Sequence, residues 1–386
     1  MKVNAFTRGS PETQSRTFIV VTNKYSIFYY FPLYGDLVSY KKNNGGIIDE
    51  NEHLCIQMSY EVIITGMLFI LCWVILTAAD AAVAGICALL GTARFRTVFL
   101  WGLLSLLIPV IAVSYGTFFE RNWYKVKEVT VESAELPEAF DGFRIVQVSD
   151  IHLRSFARRP ESLQRAVEKI NALDPDMVCF TGDLITTDVS ETDSMFEILK
   201  GIRGPVYSVL GNHDYHIYPD DKGGIDETAR LAKVEALISR ERELGWNLLL
   251  NQSRVLEHAG DSIAIMGVEN TSASEHFPSH GDLEAAMRGT DGCFRILLSH
   301  DPTHWDMEVV GKDIPLTLSG HTHAMQFSLP GWCPSRYLFK QYRGLYSKGN
   351  QNLYVNIGLG ETIFPARIGA RPEITLITLK KSNNVQ

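Results

Sequence analysis

Two uncharged apolar runs precede a long stretch in which short apolar segments alternate with amphipathic ones. The first run covers Val62 to Ala79, is interrupted by Asp80 and resumes to Leu90, and the second covers Val98 to Phe119. A helix that crosses a bilayer needs roughly 20 apolar residues, so residues 62–119 are predicted to form a transmembrane helical hairpin. The connection Gly91 to Thr97 carries Arg94 and Arg96. A short cationic loop favours the cytoplasmic side, which would place everything after the second run outside the cytoplasm. Trp123 and Tyr124 suit an interfacial aromatic belt. Residues 1–61 give no defined element. The run Ser26 to Leu33 is too short to span a bilayer, and the polar first dozen residues lack a signal-peptide pattern. Translation starting at Met58 or Met67, beside the first apolar run, is one expectation from this pattern.

From Lys125 the period changes, and residues 125–386 read as one α/β domain. Val126 to Val131 alternates as a strand, and Phe143 to Val148 reads as a second. Leu163, Ala166, Val167, Ile170 and Leu173 recur at helical spacing until Asp174-Pro175 stops them. Further helices are predicted over Thr192 to Ile202 and Asp226 to Leu244, then strands near Leu248, Val255 and Ile263 to Met266. Alternating β and α segments followed by consecutive strands predict two packed sheets with helices outside.

Composition changes this picture little. The 386 residues are 46% hydrophobic and 21% charged, an ordinary soluble ratio that conceals the crowding of apolar residues into the two runs. Net charge is −8, and no Lys or Arg block marks a nucleic-acid surface. Six cysteines are scattered without a C-x-x-C pair, which argues against a disulfide framework and a thiolate zinc site.

The chemistry sits in five fragments: Asp150-Ile-His152, Gly182-Asp183, Gly211-Asn212-His213-Asp214, Ser299-His300 and Gly320-His321-Thr322-His323. Nearly all directly follow short apolar runs that read as buried strands. Ligand crevices of open α/β sheets lie beyond the carboxyl ends of strands, so fragments distant in sequence are expected to converge. Extended backbone would put Asp150 and His152 on one face, where both could grip one metal. Asp183 has two oxygens and could bridge two ions. Asn212 offers an amide oxygen, and His300, His321 and His323 offer imidazoles. Ligands of N and O without sulfur suit Mn, Fe, Co or Zn. Two such divalent ions would clamp the attacking and leaving oxygens of an in-line displacement.

These ordered blocks resemble those of the calcineurin-like metallophosphoesterases, D-x-H, G-D, G-N-H-[DE], H and G-H-x-H, over roughly Phe143 to Leu379. The resemblance implies a two-sheet β-sandwich flanked by helices, with 125–386 as the catalytic domain of a metal-dependent phosphoric ester or pyrophosphate hydrolase. It implies that Asp150, His152 and His323 hold one metal, that Asn212, His300 and His321 hold the other, and that Asp183 bridges. His213 resembles the catalytic histidine. The membrane anchor, together with Gly358-Leu359-Gly360, Arg367 and Pro372-Glu373-Ile374, resembles a membrane-associated bacterial branch that includes UDP-2,3-diacylglucosamine hydrolases. A bacterial inner or cytoplasmic membrane and a lipid-linked, phosphate-bearing substrate are thereby implied, with no nucleic acid. Nucleases and nucleotide phosphohydrolases share the blocks and form the alternative, and a non-catalytic metal-binding sensor is a further one. The sequence departs from the protein phosphatases of the superfamily: Thr186 stands where they carry an Asp, and Asp214 ends the third block in place of Glu. Asp214 is then a candidate to orient His213, or a cap of the following turn. Tyr215 and His216 are candidates for substrate contact, and Arg367 for a phosphate contact or a surface salt bridge.

Overall fold

The computed structural model describes residues 3–6, 17–22, 25–30, 50–215, 227–362 and 364–382. Where the sequence gives no defined element, β1 (Val3–Phe6), β2 (Thr17–Thr22) and β3 (Tyr25–Tyr30) pair as a small antiparallel sheet. The first apolar run lies within α1 (Glu50–Leu89). Asp80 interrupts the hydrophobicity but not the helix, because its carboxylate accepts a hydrogen bond from Ser105 Oγ at 2.9 Å. The second run is α2 (Phe95–Gly102), a 3-10 turn Leu103–Leu106 and α3 (Leu107–Phe118). Pro109 lacks the N–H that a continuous α-helix would direct to Ser105, which accounts for the turn at that point. Phe69–Leu89 and Phe95–Asn122 are long and apolar enough to cross a membrane. Ile70, Trp101, Leu104 and Ile108 are among many large apolar side chains they leave exposed, so these helices are not the core of a soluble fold.

After β4 (Lys125–Ser133) and β5 (Arg144–Val148) come α4 (Pro160–Ala172), β6 (Met177–Phe180), α5 (Phe196–Lys200), β7 (Val206–Ser208), α6 (Glu227–Glu243) and β8 (Asn247–Leu248). The remaining elements are β9 (Gln252–His258), β10 (Asp261–Gly267), α7 (Leu283–Met287), β11 (Phe294–Leu298), β12 (Leu316–Ser319), β13 (Gly344–Lys348), β14 (Gln351–Val355) and β15 (Glu373–Lys381). They form two six-stranded sheets, ordered β4-β15-β5-β6-β7-β8 and β13-β14-β12-β11-β10-β9. Strands β5 to β8 run parallel, as do β10, β11, β12 and β14.

Strict alternation explains why the strands read as continuous apolar runs: both faces are covered. In β6, Met177 and Cys179 face the partner sheet, while Val178 and Phe180 face the helices. In β11, Phe294, Ile296 and Leu298 enter the layer between the sheets and Leu297 packs outward with Trp305 and Val309. The α/β sandwich flanked by helices is therefore as expected, and the parallel strands of both sheets aim their carboxyl ends into one crevice.

The second apolar helix meets this domain without slack. A Cβ at Gly116 would come within 2.7 Å of the Arg367 carbonyl oxygen, so only glycine admits that approach. The buried Glu120 carboxylate accepts the Gly369 N–H at 3.0 Å. Arg121 and Arg159 both pair with Glu361, at 2.9 and 2.8 Å.

Candidate metal centre

The loop after β6 organises the crevice. Asp150, His152 and Leu153 donate their main-chain N–H groups to the carbonyls of Gly182, Asp183 and Leu184 at 2.9, 3.1 and 3.0 Å. These bonds hold Asp150 and His152 at φ 49° and 45°. Their backbone is left-handed rather than extended, so their side chains converge by a tight reversal and not by strand alternation. Asp183, His321 and His323 share positive φ. Such clustering of an unfavourable conformation on non-glycine residues needs surrounding contacts that enforce it. Gly320 permits part of this crowding, since a Cβ there would collide with Ser149 and Asp150. The His321 N–H then reaches both oxygens of Asp150 at 3.1 Å.

All seven ligand candidates arrive in one place. Ligating atoms of Asp150, His152 and His323 lie within 4.8 Å of one another, as do those of Asp183, His300 and His321 and those of His152, Asp183 and His213. His152 Nε2 is 3.1 Å from His323 Nε2, and the latter is 3.3 Å from Asp150 Oδ1. Asp183 Oδ2 is 3.2 Å from His300 Nε2 and 3.6 Å from His152 Nε2. Asn212 Oδ1 sits 2.7 Å from His321 Nδ1 and 3.1 Å from His300 Nε2.

Three imidazoles are oriented by main-chain oxygens of a single loop. Nδ1 of His300 meets Thr181 O at 2.7 Å, Nδ1 of His152 meets Ile185 O at 3.2 Å, and Nδ1 of His213 meets Thr186 O at 2.7 Å. A ring that gives its Nδ1 hydrogen to a carbonyl presents the Nε2 lone pair to a metal or a proton. Nδ1 of His323 behaves differently, because the Arg367 guanidinium 3.2 Å away can only donate.

Electrostatics follow from burial. Burial, His152 and Arg367 hold His323 well below the usual histidine range, and burial with His213 does the same to His152, so both stay uncharged. Burial opposes charge on His300, yet Asp183 beside it prevails and pushes its pKa up to about 10. Burial likewise opposes charge on Asp183, and His300, His213 and His152 prevail, keeping it well below the carboxylate range. Asp150 is raised, first by burial and then by the charge of Asp183 against the opposing pull of His300.

The orienting role open to Asp214 falls to the Thr186 carbonyl. Asp214 instead accepts from four main-chain N–H groups: Asp183 and Gly211 at 2.8 Å, Leu184 at 3.0 Å and Ile185 at 3.2 Å. It clamps the loop that carries Asp183. Tyr215 follows His213 and Asp214 in the same 3-10 turn. It is buried, with its hydroxyl 3.0 Å from Glu269. His216 lies outside the described residues. Arg367 is neither a surface ion pair nor turned to solvent. It is fully buried, spanning the carbonyls of Ile357, Gly360 and Ala370 as well as His323. Burial lowers its pKa to about 10, and it remains a cation at neutral pH. Sequence reasoning missed the three carbonyls, which have no residue signature, and the walls beside His321, where Phe277 and Phe339 stand edge-on at 4.9 and 5.6 Å.

Residues 143–325 match the family described as calcineurin-like phosphoesterase. A Bacillus subtilis protein described as uncharacterized metallophosphoesterase YkuE is 33% identical over 279 residues, covering 70% of this chain and 90% of that protein. The Danio rerio transmembrane protein with metallophosphoesterase domain is 34% identical over 72% of this chain, which spans 62% of that longer protein. A Chlamydia trachomatis protein described as UDP-2,3-diacylglucosamine pyrophosphatase LpxG is 28% identical, with 65% of this chain and 88% of that protein covered.

Proposed function

Because the chain belongs to the calcineurin-like metallophosphoesterases and is thereby a phosphoester hydrolase, we propose that it cleaves a phosphodiester or pyrophosphate of a lipid-linked substrate, at the membrane, with two divalent ions. The observation that carries the metal assignment is the convergence of His152 Nε2, His323 Nε2 and Asp150 Oδ1, with the two nitrogens 3.1 Å apart and the oxygen 3.3 Å from the second. The Nε2 lone pair of His152 and the carboxylates of Asp150 and Asp183 converge in a buried site, an excess of acceptors that calls for a cation among them. On this reading Asp150, His152 and His323 hold one ion, Asn212, His300 and His321 hold the other, and Asp183 reaches both. The donor set of N and O atoms admits Mn, Fe, Co or Zn. When bound, the ions polarise the phosphoryl oxygens and lower the pKa of a water.

The chain's own groups do the rest. His213 lies at the half-open edge of the crevice, with Nδ1 fixed on Thr186 O and its main-chain N–H on Asp183 Oδ1 at 2.8 Å. In the imidazolium form, with Nδ1 still donating to Thr186 O, its Nε2–H is placed to give a proton to the departing oxygen and to be left with the lone pair, the ordinary work of a positioned histidine. Phe277 and Phe339 exclude water from the His321 side.

The lipid assignment is supported by the two exposed apolar helices and by the description of the Chlamydia relative, whose UDP-2,3-diacylglucosamine substrate is the first to test. An anchored site searches a surface, which raises its effective concentration toward lipids but not toward soluble nucleotides. Full-length protein in mixed micelles should therefore favour the diacyl substrate over its water-soluble headgroup analogue by about tenfold or more in kcat/KM. Equal rates, or preference for free nucleotides, would reject a lipid substrate, and absence of metal-dependent cleavage of bis(p-nitrophenyl) phosphate would reject the enzyme itself.

A further inference from the structure

Two residues beyond His323 the chain leaves the metal centre and forms a tip whose apolar side chains stay in solvent. Leu329 and Trp332 exchange main-chain hydrogen bonds at 2.8 and 3.0 Å around Pro330-Gly331. Trp332 Nε1 donates to the Tyr337 hydroxyl at 3.2 Å, and Phe327 packs edge-on to Trp332 at 6.1 Å. Met325, Leu329, Trp332, Tyr337 and Leu338 are all exposed, the last two by 71% and 68%. An ordered tip that leaves this much tryptophan, tyrosine and leucine uncovered is a contact surface.

The position of the tip identifies what covers it. Ser328 donates its N–H to Ile368 O at 2.8 Å, and Ile368 donates back to Gln326 O at 2.9 Å. That same strip, residues 366–369, is the one that Gly116 and Glu120 grip at the end of α3. The tip is thus fastened to the end of the second apolar helix through one intervening segment. Phe118, Phe119 and Trp123 are exposed at that helix end, so the helix end and the tip fastened to it both carry uncovered apolar side chains. Arg336 stacks on Tyr337 at 5.8 Å, and Arg371 on Trp123 at 4.0 Å. Aromatic rings with cationic partners at the end of an apolar helix are the composition of a membrane–water boundary, where ring and charge divide between acyl chains and headgroups.

We propose that the tip 325–338 is a second membrane contact, seated in the headgroup–acyl boundary beside the end of α3. This rests on the reading above that α1 to α3 lie in the bilayer. It adds that the metal centre opens beside lipid, with the wall that starts at His323 dipping into it, so that the acyl part of a substrate need not leave the membrane for its phosphate to reach the site. A second copy of this chain is the other possible cover.

The test uses the full chain in phosphatidylcholine–phosphatidylglycerol vesicles whose lipids are brominated near the headgroup. Bromine quenches only tryptophan at that depth or close to it. Trp332→Phe keeps a ring in the cluster, and Trp101→Phe removes an exposed tryptophan of α2. The expected result is that shallow bromine quenches a component of the wild-type emission that Trp332→Phe loses. Unchanged quenching in Trp332→Phe, with a component lost in Trp101→Phe under deep bromination, overturns the tip contact while leaving the anchor in place. Loss in neither variant rejects both. Shallow-bromine quenching of Trp332 that is absent in the oligomer and appears only on dilution to monomer assigns the surface to a second copy and overturns the proposal.

Discussion

The imidazole of His213 gives its Nδ1 hydrogen to the main-chain oxygen of Thr186 at 2.7 Å. A carboxylate in that position would make the ring more basic, whereas a neutral carbonyl fixes its direction without adding charge. The orientation of the ring is therefore independent of which side chain residue 186 carries.

His213→Ala should lower kcat by about 10²–10⁴-fold while metal content persists. Thr186→Val should leave kcat essentially unchanged. The His213 defect should shrink on p-nitrophenyl esters, whose leaving group needs little protonation. Metal analysis alongside steady-state rates checks both, and loss of metal from His213→Ala would remove the histidine from its non-ligand role.

Asp214→Asn should damage the site without touching substrate. An amide cannot accept on both ends, and each carboxylate oxygen serves two donors, so two of the four main-chain N–H groups now bound by Asp214 lose their acceptor. Each unmet buried donor costs about 1–3 kcal/mol. The loop carrying Asp183 should loosen, with a lower unfolding temperature and less bound metal. A variant with the wild-type melting point and full metal would show that the clamp is dispensable.

Arg367→Lys retains a positive charge and loses the fork. The guanidinium serves Gly360 through Nε, Ala370 through Nη1, and Ile357 and His323 through Nη2, a span that one ammonium cannot cover. Metal per chain should fall from about two toward one, as the Asp150–His152–His323 position empties first. Two retained equivalents would show that Arg367 supports the fold alone.

Glu241 supplies the pH test. It is buried in α6 with one oxygen 2.6 Å from Ser208 Oγ, and burial, reinforced by the charge of Asp214, pushes its pKa from 4.5 up to about 8. The folded state therefore holds this proton more tightly than the unfolded chain does. Its contribution to stability is present below pH 4.5 and is lost as pH rises toward 8. Glu241→Gln should narrow the fall in unfolding temperature between pH 6 and 8.5 in thermal scans. Parallel pH profiles for the two proteins would exclude Glu241 as a source.

The sandwich and the convergence of five fragments were legible because period-two burial and strand-end placement leave marks on residue type. Met177 to Phe180 reads as strand because both its faces are covered. The convergence of His300 with Asp183 follows because each ends such a run. What the sequence hid lies in main-chain atoms and burial. Nothing in Thr181, Ile185 or Thr186 announces that their carbonyls hold three histidines. An arginine is ordinarily a surface residue, and no local pattern distinguishes Arg367, whose partners are carbonyls brought near by folding. Left-handed Asp150 and His152 were equally hidden, since only the contacts of the β6 loop impose that conformation.

Gly116 against Arg367, with Glu120 capping Gly369, has a mechanical consequence. With α3 in a bilayer, the catalytic domain is a rigid bracket on the helix end and cannot swing like a weight on a string. Its crevice is held at one height and one tilt, so the protein works as a ruler for the distance from acyl chains to the bond it cuts. Adding one helical turn below Gly116 would raise the whole site by about 5.4 Å, leaving its internal chemistry intact and its reach misplaced.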